Sequence, residues 1–98
     1  MFDQLQPVKL SLRATEEVKK IMQTKNIPEG YGLRIGVRGG HGCGAAQLII
    51  GFDKKKESDL SYIVDGISVY IDKKHTMYVI GKEVHWVEND AERGFTFA

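Results

Sequence analysis

The chain has one cysteine, Cys43, and a single thiol closes no internal disulfide, so no disulfide framework holds this fold. A lone thiol fits a reducing compartment. Charge of one sign is not in excess either. Fourteen Lys and Arg stand against thirteen Asp and Glu. That balance argues against a generic nucleic-acid binder or an anionic-membrane binder. Long apolar runs are missing, so no segment is expected to span a membrane. The N-terminal stretch "MFDQLQPVKL" has no basic region followed by an apolar run, and so no signal-peptide pattern. Repeats and low-complexity tracts are also missing. The expectation from these absences is a cytoplasmic, soluble protein. At 98 residues it is expected to form a single domain, 1–98, large enough to fold on its own core.

Two periodicities organise what is present. In "LSLRATEEVKKIMQTKN", residues 10–26, Leu10, Ala14, Val18, Ile21 and Met22 recur at helical spacing. Ser11 is the expected N-cap. Glu16 and Glu17 lie early and Lys19, Lys20 and Lys25 late, as the helix dipole favours. Pro28 is expected to stop the helix. From Tyr31 the period falls to two. Leu33, Ile35 and Val37 share one face, and Arg34 and Arg38 the other. "QLIIGF" predicts a second strand and "DKKKESD" a loop. "LSYIVDGISVYID" predicts a hairpin turning at Asp65-Gly66. Asp72 is placed to cap a turn or two of helix through Tyr78, with Gly81 as the stop. "EVHWVEN" and "FTFA" predict two more strands. The pattern is α+β and mostly β: a small sandwich or compact barrel of short strands with the early helix packed on it.

The chemistry centres on "GVRGGHGCG", residues 36–44. Glycines on both sides of Cys43 free the backbone and remove shielding, which predicts an exposed, mobile thiol. A thiolate is a soft ligand suited to zinc, copper(I) or an iron–sulfur cluster, and His41 lies two residues away. One Cys and one His do not complete a tetrahedral site, so further ligands must come from a second subunit, a small thiol or a partner. Cys43 as a nucleophile needs a base and an orienting group. His41, His75 and His85 are the candidate bases, but nothing in the sequence pairs one of them with an acid. The phosphate-binding G-x-x-x-x-G-K-[ST] pattern is missing. Asp53 with Glu57, and Glu88 with Asp90, lie in expected turns and read as solvation.

The order of a helix, then "YGLRIGVRGGHGCG", then "VDGISVYID", then "GFTF" resembles the A-type iron–sulfur carrier family, the HesB/IscA/SufA/ErpA-like proteins. The resemblance runs from about Val8 to Phe97. It is carried by Gly32 to Val37, Gly42 to Gly44, Asp65 to Asp72, Gly81, Trp86 and Gly94 to Phe97. Aligned without gaps from Gly32, Cys43 falls one place after the family cysteine, and an insertion at His41 restores the register. The family pattern continues into a C-G-C-G-like tail. The 98 residues here end just after the G-F-x-F block and hold no counterpart of that cysteine pair.

The resemblance implies a HesB-like fold and a role as an accessory protein of iron–sulfur cluster assembly, not an enzyme. Cys43 would bind iron or a labile [2Fe-2S] or [4Fe-4S] cluster, weakly because one cysteine is present, and pass it on. His41 is a candidate second ligand, on proximity alone. Expected partners are assembly or recipient proteins and a second copy in a homodimer, with no nucleic acid and no membrane. The alternatives are an adaptor that binds partners without metal and a thiol redox protein.

Overall fold

The computed structural model describes residues 7–39 and 46–97. Strand β1 (Val8–Leu10) leads into helix α1 (Leu12–Thr24). Then come β2 (Tyr31–Gly39), β3 (Ala46–Lys54), β4 (Asp59–Val64) and β5 (Ile67–Asp72). A 3-10 turn (Lys73–His75) runs into a one-turn helix α2 (Thr76–Val79), followed by β6 (Lys82–Glu88) and β7 (Arg93–Phe97). No helix among the described residues is long and apolar enough to cross a membrane.

Helix α1 starts where expected. Ser11 is extended, and its Oγ accepts from the Ala14 N–H at 3.1 Å. Its end is set earlier than Pro28. Asn26 takes a left-handed conformation at φ 52°, the Ile27 N–H donates to Met22 O at 3.1 Å, and the Asn26 N–H donates to Gln23 O. This paired closure satisfies two of the last carbonyls, and Asn is the side chain that best tolerates the backbone it needs after Gly. The expected dipole pairing is not formed: the first turn holds no acid and the last no base. Glu17 is instead buried at 4% exposure and bridges Arg13 at 3.0 Å and Lys20 at 3.2 Å.

Leu10 does not belong to the helix. It lies on β1, which pairs in parallel with β6 from Val8↔Lys82 to Leu10↔Val84. Three residues are too few to show a period, so this strand is not legible locally. With β7 antiparallel to β6, the order of this sheet is β1-β6-β7. The second sheet has the order β3-β2-β5-β4. Its central pair, β2 and β5, is parallel, with Leu33↔Val69 and Ile35↔Ile71 in register.

The core lies between the two sheets. Alternation turns Leu33, Ile35 and Val37 of β2, and Ile67, Val69 and Ile71 of β5, toward Val8, Leu10 and Val84 of the other sheet. Ala14 and Val18 of α1 join them. Each such aliphatic side chain stabilises the fold by about 1.5–3 kcal/mol relative to exposure. The β4–β5 hairpin turns at Asp65 and Gly66, both with positive φ (51° and 83°), the handedness that matches strand twist. Asp72 Oδ1 accepts from the Lys74 N–H at 3.1 Å and starts the 3-10 turn. Gly81, at φ 84°, ends the segment, and its N–H donates to Pro7 O at 2.7 Å. The mostly β sandwich with its packed helix is the architecture the sequence predicts.

Candidate functional site

β2 and β3 form an unbroken antiparallel ladder from Tyr31↔Lys54 to Gly39↔Ala46. The segment that joins them, residues 40–45, carries His41 and Cys43. Both lie outside the described residues, as does the expectation of an exposed thiol. The structure describes the paired strands on either side of it in sequence, and the outer face of β2.

That face is shaped by two glycines. A Cβ at Gly36 would lie 2.8 Å from His75 Nδ1, so the glycine lets the His75 ring lie against the strand. A Cβ at Gly32 would lie 2.6 Å from the Tyr70 ring and 2.7 Å from Ser68 O. Gly36 thus opens the glycine-rich stretch for a packing reason, inside a strand.

Between these two glycines stands Arg34, on the face opposite Leu33 and Ile35. Its Nη1 donates to Asp59 Oδ1 at 2.8 Å and its Nη2 to Asp59 Oδ2 at 2.6 Å, a bidentate pair. Nη2 also donates to Lys54 O at 2.8 Å. Nε stands 3.3 Å from Asp53 Oδ2, without the alignment of a hydrogen bond. The Lys56 N–H donates to Asp59 Oδ2 at 2.7 Å. The Arg34 guanidinium, by hydrogen bond first, holds the buried Asp59 carboxyl down at about 2, against the opposing effect of burial. The Arg34 pKa is raised in return. Asp53 is therefore more than a solvated acid, and Asp59 is a residue that sequence reasoning did not single out. The only local signal was an arginine at a polar-face position of β2. Its partner lies 25 residues away along the chain.

A pocket of about 220 Å³ opens beside this network, lined by Arg34, Gly36, Ile49, Lys56, Asp72 and His75 among others. The Arg34 guanidinium is committed to Asp59 and to the Lys54 carbonyl, so the network fixes the 53–59 segment in place. His75 is half-buried over Gly36. His85, on β6, has Nε2 3.2 Å from Glu83 Oε1. Among the described residues no three His, Cys, Asp or Glu side chains converge to hold a metal ion.

No protein-family model matches the chain. Individual relatives do. The mouse mitochondrial iron–sulfur cluster assembly 1 homolog is 38% identical over 96 residues, covering 95% of this chain and 74% of the mouse protein. The human homolog is 36% identical over the same shares. Among solved structures, a protein from Aquifex aeolicus determined by NMR is 38% identical at a TM-score of 0.71, covering 100% of this chain and 98% of that one. Escherichia coli SufA has a TM-score of 0.75 at 19% identity over 98% and 88% of the two chains. IscA with its [2Fe-2S] cluster has a TM-score of 0.76 at 24% identity over 93% and 83%. These last two carry the likeness of fold.

One expectation is overturned. The cytoplasmic placement does not stand, because relatives matched along nearly the whole chain are mitochondrial proteins by name. Balanced charge and a lone thiol describe any reducing compartment, so they never separated the two. On the extent of the match with the cluster-assembly homologs, and on its SufA- and IscA-like fold, the chain belongs to the A-type iron–sulfur carrier family.

Proposed function

We propose that this chain is an accessory protein of iron–sulfur cluster assembly that takes iron or a labile cluster on Cys43 and hands it to a recipient. The observation that carries the reading is the match to relatives named for cluster assembly over 95% of the chain. The thiolate is the soft donor such cargo needs. A two-iron cluster needs about four ligands, so a second copy of the chain would supply a second Cys43, with His41 or a small thiol completing the set. The β2–β3 ladder supports the reading, because the residues that flank the Cys43 segment in the chain, Gly39 and Ala46, are paired with each other. The cluster here is cargo, so the protein would act as a carrier and not as an enzyme.

Anaerobic reconstitution with ferrous iron and sulfide tests this. Wild type is expected to gain visible cluster absorption and to lose it on mixing with an apo-ferredoxin. Cys43→Ser is expected to abolish the gain, and His41→Ala to lower it. Equal iron and equal absorption in wild type and Cys43→Ser would overturn the assignment.

A further inference from the structure

We propose that α2 and its flanks form a docking face for an acidic, apolar-centred segment of a partner protein. Met77 is 78% exposed, Tyr78 49% and Ile80 59%, while Val79 between them is fully buried. The cause is geometric. A one-turn helix has room for one inward side chain, and Val79 takes it. The other three large apolar groups are exposed within four consecutive residues, Met77 to Ile80, and neighbouring exposed apolar side chains mark interaction sites more often than isolated ones do.

The rim is basic. Lys73, Lys74 and Lys82 are exposed, and no Asp or Glu lies between Lys73 and Lys82. Asp72 and Glu83 border this stretch, and within Lys73–Lys82 itself the three lysines are the only Lys, Arg, Asp or Glu side chains. Among the described residues, none of the three lysines forms an ion pair. In a chain whose total charge is +1, this is a local excess.

Charge selects the occupant. A second copy placed face to face would set three lysines against three, which disfavours self-pairing through this face. An anionic membrane rewards longer amphipathic helices, and three lysines contribute only about 1 kcal/mol each there. A protein segment with apolar side chains flanked by Asp or Glu matches both the apolar residues and their basic flanks. The inference stands whether or not residues 40–45 hold iron.

Zero-length carbodiimide cross-linking in extract of the source cells, read by peptide mass spectrometry, tests it. The expected products join Lys73, Lys74 or Lys82 directly to Asp or Glu of one other protein, within a segment that also carries apolar residues. The recombinant form of that segment should then bind wild type. Its affinity should fall about tenfold or more for Met77→Ser/Ile80→Ser, and again for Lys73→Glu/Lys74→Glu/Lys82→Glu. Exposed substitutions of this kind leave stability within about 0.5 kcal/mol, which circular dichroism and urea midpoints check. Should the apolar double variant fail to fold, the charge-reversed variant decides. Cross-links only between copies of this chain, no cross-links, unchanged affinity in folded variants, or co-sedimentation with phosphatidylserine vesicles in place of a protein partner would each overturn the proposal.

Discussion

The Tyr62 hydroxyl closes a two-way bond with the backbone of Val8. It donates to Val8 O at 2.7 Å and accepts from the Val8 N–H at 3.2 Å. Tyr62 is on β4 of one sheet and Val8 on β1 of the other, 54 residues apart. One phenol thus satisfies the outer edge of β1 and joins the two sheets at that side. Burial pushes its pKa up to about 12, opposed by the bond to Val8.

Tyr62→Phe should therefore destabilise the fold by about 1–3 kcal/mol, because it strips partners from two backbone groups at once. Urea denaturation measures this, and amide exchange should rise at Val8. The alkaline limb follows from the raised pKa. The stability it confers is present below the ordinary value of 10.0 and is lost as pH rises toward about 12. Tyr62→Phe should lack that part of the slope. Equal stability of the two proteins at neutral pH would contradict the bond's role.

Arg34 and Asp59 set the acid limb. The Asp59 pKa is depressed from 3.8 to about 2, so its contribution is present above 3.8 and disappears as pH falls through about 2. Asp59→Asn should cost about 2–3 kcal/mol at pH 7, since it leaves a largely buried guanidinium facing a neutral group. The difference from wild type should shrink steadily on acidification. A constant difference between neutral pH and pH ~2.5 would show that the charge on Asp59 contributes nothing.

Gly32 and Gly36 should respond differently to alanine. At Gly36 the three atoms nearest the new Cβ all belong to the His75 ring, which can turn aside. At Gly32 it meets the carbonyl oxygen of Ser68 at 2.7 Å as well as Tyr70, and the backbone of β5 cannot move without breaking its ladder with β2. Overpacking typically costs about 1–3 kcal/mol, and Gly32→Ala should lie at or above the top of that range. Gly36→Ala should lie at the bottom and be relieved by adding His75→Ala. Thermal melts of the three variants and the pair settle the order.

Ser11 does two things at the start of α1. Its Oγ accepts from the Ala14 N–H, and its own N–H donates to Val84 O at 2.9 Å. Ser11→Ala removes only the first, so the loss should be about 1 kcal/mol. Ser11→Pro removes both and should cost more, detaching the end of β1 from β6 as well. Chemical denaturation of the two variants separates the cap from the strand contact.

The sequence by itself determined whatever repeats at short range. The alternation in "LRIGV" and "ISVYI" marked the inward faces of β2 and β5, because burial on a pleated sheet has a period of two. Asp65-Gly66 announced its turn, Ser11 its cap and Gly81 its stop, since each rests on the conformational preference of one or two residues. The ordered glycine, Ile-Asp and G-F-x-F blocks carried the family. Tertiary structure alone decided what depends on groups far apart in the chain. It made Leu10 a strand residue by pairing Val8–Leu10 with β6, gave Arg34 its carboxylate, and laid His75 over Gly36. It also left Met77, Tyr78 and Ile80 in solvent, where an apolar run would predict burial. Local pattern encodes which face of an element is apolar. Only the packed chain determines which distant group meets it.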